Sequence, residues 1–134
     1  ENGEKIMTDL LVRELSQEDC EQISELFCTD NILRSELNFK GDDMPNAKEV
    51  SEKYQNWCKL RSAVPYAIVL NKTTTIGCIC LSRIDSQSEP ARIAGWIASS
   101  YRGLGYGKEA IDKVQITAKG LGISNMKIIG IEND

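Results

Sequence analysis

The stretch "SSYRGLGYGKEA", residues 99–110, constrains this chain more than any other. Gly103, Gly105 and Gly107 stand at alternate positions behind Arg102. An apolar run, "ARIAGWIA" at 91–98, precedes them. A stretch at 107–119 follows, with Ala110, Ile111, Val114 and Ala118 at helical spacing. A glycine-rich turn between a strand and a helix N-terminus is an anion site. N–H groups converge there, the helix dipole favours negative charge, and without Cβ atoms phosphate oxygens can approach the backbone. Arg102 and Lys108 put positive charge on the flanks. The plainer alternative is a tight turn with glycines at positive φ, which ordinarily takes one or two glycines.

The rest of the pattern is α+β. "LLVREL" (10–15) reads as a strand. Ser16 opens a capping box with Asp19, and Cys20, Ile23 and Phe27 carry a helix over 17–28. Residues 29–45 are polar and interrupted by Gly41 and Pro45, a long loop or a broken helix of the kind that often carries function. A second helix is predicted over 46–61, with Val50, Tyr54 and Trp57 on one face and Pro65 ending the segment. "YAIVL" (66–70) and "IGCICLSRI" (76–84) form a hairpin through "NKTTT", and "ARIAGWIA" adds a third strand. "MKIIGI" (126–131) is the last. The order β-α-α-β-β-β-α-β implies a mixed sheet in a single domain over 1–134. Residues 7–61 supply the first strand and its helices, and 66–134 the sheet and the glycine turn.

Absences narrow the chemistry. The chain has no histidine, which removes Ser-His-Asp and Cys-His nucleophiles. Acid–base work falls to carboxylates, tyrosine, lysine, cysteine or water. Five cysteines with no CxxC predict neither a disulfide framework nor a metal site, and a cytoplasmic location. A net charge of −4 is poor for tracking nucleic acid, and no apolar run approaches the ~20 residues of a membrane span. The charge is uneven: residues 1–60 carry −7 and residues 61–134 carry +3. Solvated helix faces account for such a split. The functional reading is an acidic half for a cationic ligand, with Asp42 and Asp43 of "KGDDMP" as candidates, and a basic half for an anion.

Two phosphate motifs fit poorly. The P-loop pattern fails because Arg102 stands at its first glycine and Glu109 at its Ser/Thr. Gly105 to Ala110 fits the dinucleotide pattern GxGxxA, with Glu132 at the end of the next strand. However, "SSYRGL" separates the strand from Gly105, and little chain remains for further βαβ units. A dinucleotide-binding oxidoreductase is thus a remote alternative.

Arg102-x-x-Gly105-x-Gly107 resembles the [QR]-x-x-G-x-[GA] motif of the GCN5-related N-acetyltransferases (GNAT). "GWIASSY" before it, "KEAIDKVQ" after it and "IIGIEND" beyond extend the likeness to about residues 8–134. The stretch looks most like the branch with ribosomal-protein alanine and spermidine acetyltransferases. The resemblance implies a mixed, mostly antiparallel sheet with helices on both faces. It implies transfer of an acetyl group from acetyl-CoA by direct attack of a primary amine: a polyamine, an aminoglycoside or a protein N-terminus. The N–H groups of Arg102, Gly103, Leu104, Gly105, Tyr106, Gly107 and Lys108 would cradle the pyrophosphate. The main chain of Ile97 would pair with the pantetheine arm where the fourth and fifth strands splay, and Asn133 would contact the arm or a bound water. No metal is implied, and a homodimer is a candidate assembly.

The chain departs from the family in two places. It stops at Asp134, before a C-terminal helix and strands whose tyrosine often protonates the leaving thiolate, so these elements are expected to be missing. Ala91-Arg92-Ile93 carries no glutamate where some members place one. Glu132 is then the candidate base. Cys78 or Cys80 in a ping-pong route, and a non-catalytic acyl-CoA-binding module, are the alternatives.

Overall fold

The computed structural model describes residues 9–86 and 88–131. Strands β1 (Leu10–Glu14), β2 (Val64–Leu70), β3 (Thr74–Ser82) and β4 (Ala91–Ile97) pair antiparallel in turn. β5 (Met126–Ile131) joins β4 in parallel, giving one five-stranded sheet in chain order. Helices α1 (Gln17–Thr29), α2 (Asn31–Glu36) and α3 (Ala47–Arg61) lie between β1 and β2, and α4 (Tyr106–Gly120) between β4 and β5. This is the mostly antiparallel mixed sheet expected.

The two-residue period of the strands sorts side chains onto two cores. Ile79 and Leu81 of β3 and Ile93 and Ile97 of β4 pack with Ala110, Val114 and Ala118 of α4. Cys78 and Cys80, from the alternate positions of β3, pack with Cys20, Ile23 and Phe27 of α1, Leu33 of α2 and Val50 of α3. Helices therefore cover both faces. Being buried on both sides, β3 reads as a continuous apolar run rather than an alternation. Each fully buried Ile or Leu contributes roughly 1.5–3 kcal/mol.

Local chemistry sets the boundaries. Ser16 and Asp19 close the expected capping box at α1, and Asn46 with Glu49 closes another at α3. The β2–β3 hairpin turns on Asn71 and Lys72, at φ 52° and 68°, so β3 starts at Thr74 rather than 76. β2 begins at Val64 and admits Pro65 at its second residue, where a proline is tolerated.

The segment 29–45 resolves into a broken helix. Asp30 caps α2 by accepting from Leu33 N–H at 3.1 Å. The following loop is gathered by Arg34, 8% exposed, which donates to the carbonyls of Phe27, Gly41 and Asp43. A buried guanidinium satisfied by three carbonyls fixes that loop against α1.

Candidate active site

β4 ends at Ile97, and a single 3-10 turn, Ser99–Tyr101, leads into Arg102–Gly105 and α4. Gly103 and Gly105 take φ of 78° and 85°, a region that disfavours side chains, and a Cβ on either would meet nothing within 4 Å. Gly107 differs: it is buried in the first turn of α4. Ser16, Asp30 and Asn46 cap α1, α2 and α3 with side chains, but α4 starts at Gly105 with none. Its positive dipole end therefore carries no side-chain cap, and Lys108 is exposed beside it.

Arg102 has partners within the chain. Its N–H donates to Ser99 O at 3.4 Å, and its guanidinium forms a two-pronged pair with Glu36 at 2.6 and 2.7 Å. Arg102 Nε also donates to Ile97 O at 2.9 Å. Its charge therefore ties the turn to α2 and to the end of β4. Asp30 makes a second brace, accepting from Ser99 N–H at 2.7 Å and Ser99 Oγ at 2.8 Å. Burial alone pushes the Asp30 carboxyl up, but bonds from Ser99 and Leu33 and the Arg102 charge outweigh it and hold its pKa below the ordinary value. The turn is thus held from both ends of α2, a preorganisation that no local pattern around 99–105 announced.

Ile97 is the last residue of β4. β4–β5 pairing runs from Ala91–Met126 to Gly95–Ile131, the last described residue of β5, with an irregularity after Ile93. Ala98 N–H donates to Ile76 O at 2.7 Å on the β3 side. Alternation then turns the main chain of Ile97 toward the β5 side. Glu132 and Asn133 lie outside the described residues.

On the face opposite α4, a cleft of about 390 Å³ adjoins β4. Phe27, Phe39, Tyr54, Trp57 and Trp96 wall it, with Leu37 and Lys53, and Cys78, Cys80, Ala94 and Gly95 form its floor. The Phe27 ring is 4.9 Å from Phe39 and 5.4 Å from Trp96, centroid to centroid. Trp96 Nε1 donates to Tyr54 Oη at 3.0 Å. Burial first, then the neighbouring thiols, push the Tyr54 phenol well above its ordinary value, so it stays protonated. Cys80 is pushed up by its hydrogen bond with Cys78 and by burial, and Cys58 by burial and Cys80 to about 11. Cys80 is therefore a poor thiolate nucleophile, which argues against the ping-pong route through it. All five cysteines are unbridged.

A second cleft of about 340 Å³ shares Phe27, Phe39 and Lys53 with the first and brings Asp42, Asp43 and Glu49 together. Asp43 accepts from Lys40 N–H at 3.3 Å, which shapes the loop tip. Among the described residues, no group of three or more His, Cys, Asp or Glu gathers as a metal site, and no helix is long and apolar enough to cross a membrane.

The acetyltransferase (GNAT) domain model matches residues 9–129. The chain belongs to this family. It is an acyltransferase by class, and its fold recurs in solved acetyltransferases. RimL, a ribosomal alpha-N-protein acetyltransferase in complex with coenzyme A, is 18% identical at a TM-score of 0.70, over 92% of this chain and 72% of that one. The spermidine N-acetyltransferase of Vibrio cholerae, in complex with CoA and spermine, is 19% identical at 0.65, over 89% and 69%. An acetyltransferase of Thermus thermophilus is 16% identical at 0.65, over 89% and 74%. No curated protein matches the chain at a significant level.

Proposed function

We propose that the chain transfers an acetyl group from acetyl-CoA to a primary amine. The observation that carries this reading is the one long helix among the described residues without a side-chain cap, α4, opening behind Gly103 and Gly105. The residues fit the group: the space a Cβ would fill at either glycine is open, and helix dipole and N–H donors favour a pyrophosphate there. Each charge-assisted bond from this turn would contribute about 1.5–3 kcal/mol. Gly103 to Lys108 would hold the pyrophosphate, with Arg102 as the brace of the turn. The main chain of Ile97 would hold the pantetheine arm as an added strand.

Acetyl-CoA supplies an activated acyl group: the amine nitrogen bonds to the thioester carbon, the C–S bond breaks, and the thiol leaves with the amine's proton. The chain's part is to align the amine in a ternary complex, worth several kcal/mol by orientation alone. An acceptor amine near pKa 10.4 must lose a proton first. Glu132 is the proposed base and Asn133 a proposed contact of the arm. Acetyl-CoA should raise the melting temperature in proportion to dose, and desulfo-CoA nearly as much, because both bind only the folded turn. Thiol release with a panel of amines then separates a transferase from a binding module. No thermal shift at millimolar ligand would contradict the cofactor assignment.

Asp42 and Asp43 are proposed to draw the protonated amine toward the site. At low salt, Asp42→Asn with Asp43→Asn should raise acceptor KM by about three- to tenfold and flatten its salt dependence, with kcat little changed. Steady-state kinetics across a salt series measures this, and unchanged KM would make these carboxylates ordinary surface.

A further inference from the structure

The chemistry of the aromatic cleft separates classes of acceptor. Its walls are aromatic, and among the described residues no Asp or Glu lines it and the charged side chain is Lys53. Phe39, whose ring face would attract a ligand cation, already carries Lys53 Nζ at 5.2 Å and the Arg34 guanidinium at 5.6 Å from its centroid. The carboxylates Asp42, Asp43 and Glu49 line the neighbouring cleft, which shares Phe39 and Lys53 as a wall. A polyamine seated in the aromatic cleft would bury several protonated nitrogens beside Lys53, with no carboxylate among the described lining residues to pair with them. An aromatic or branched apolar body would instead gain roughly 25 cal/mol for each Å² removed from water.

The cleft also has a direction. Leu37 and Trp57, 38% and 37% exposed, line it on the helix side, and Ala94 to Trp96, next in sequence to Ile97, line it on β4. We infer that the acceptor is a monoamine on an aromatic or branched apolar body, seated in this cleft with its nitrogen toward the end of β4. This rests on the transferase reading and names its substrate class. The same surroundings favour the reactive form of the amine. Burial and the nearby Lys53 charge both lower the pKa of a bound ammonium, so less is asked of a base. Asp42 and Asp43 act on approach, the rings on the bound state.

Both tryptophans of the chain, Trp57 and Trp96, line the cleft, so tryptophan emission reports occupancy without turnover. Phenethylamine should change the emission saturably, with an affinity at least about tenfold above that of spermidine. Ala94→Phe, which fills the cleft from β4, should weaken that binding by a similar factor. Should the phenylalanine variant fold poorly, Lys53→Glu on the exposed side of α3 tests the same idea. It should raise the affinity for spermidine relative to phenethylamine by about threefold or more. In a thiol-release assay phenethylamine should exceed spermidine in kcat/KM. Equal or tighter binding of spermidine to the unaltered chain overturns the inference. So does displacement of phenethylamine by octanoyl-CoA but not acetyl-CoA, which would give the cleft to a long acyl chain. Binding of phenethylamine with no thiol release from any amine overturns the transferase reading and leaves the cleft's chemistry standing; thiol release with spermidine alone does the reverse.

Discussion

Gly105→Val should lower acetyl-CoA affinity at least tenfold, about 1.4 kcal/mol or more. Gly105 is the N-cap of α4 at φ 85°, with open space where a Cβ would go. Valine would put branched carbon into that space and strain the left-handed backbone. The strain alone should cost about 1–2 kcal/mol of stability without ligand, seen as a lower melting temperature. The affinity loss is separate and is read by calorimetric titration at a temperature where the variant is folded. Lys108→Ala removes a flanking charge and keeps every N–H donor, so its loss should be smaller and should fade with added salt. A valine variant that binds acetyl-CoA normally would make the glycines features of the turn alone.

How much of this could be read beforehand follows from the range of the interactions. The turn and α4 were legible because their signals are local: alternate glycines, then apolar residues at helical spacing. The capping box at Ser16 was legible for the same reason, since its partners are three residues apart. The short helix α2 was not, because six residues give too little periodicity to recognise. Its two braces were hidden altogether. Asp30 reaches Ser99 across 69 residues and Glu36 reaches Arg102 across 66, so no window of sequence holds both partners. The aromatic cleft draws its rings from α1, the loop after α2, α3 and β4, and only Tyr54 and Trp57, expected on one face of α3, are close enough in sequence to be read together. The Tyr54–Trp96 bond, 42 residues apart, likewise had no local signal. Pro65 is expected to end the α3 segment, and it also enters β2, because an extended backbone near a strand's start suits its fixed φ.

Asp19→Asn should destabilise the fold by about 2–4 kcal/mol. Asp19 is fully buried and accepts from Arg13 at 2.6 and 3.1 Å, from Ser16 N–H and Oγ at 2.8 Å each, and from Thr75 Oγ1 at 2.8 Å. It therefore joins β1, the start of α1 and β3 through one carboxylate. Asparagine keeps one acceptor oxygen and turns an amide donor toward groups that themselves donate. The figure is below that for a fully buried pair because the Arg13 side chain is 40% exposed and water recovers part of its charge. For a chain of this size the melting temperature should fall by about 8–15 °C. The acid dependence tests the cause. Burial pushes the Asp19 carboxyl up, yet bonds from Ser16, Thr75 and Arg13 outweigh it and hold its pKa below the ordinary 3.8. A carboxyl depressed in the folded state contributes its full stability above the unfolded value and loses it as pH falls through the folded one. The stability difference between the unaltered chain and Asp19→Asn should therefore be constant above about pH 5 and shrink steadily below about pH 4. Denaturant titrations across that range measure it. A difference that stays constant into acid would mean that shape, rather than charge, accounts for Asp19.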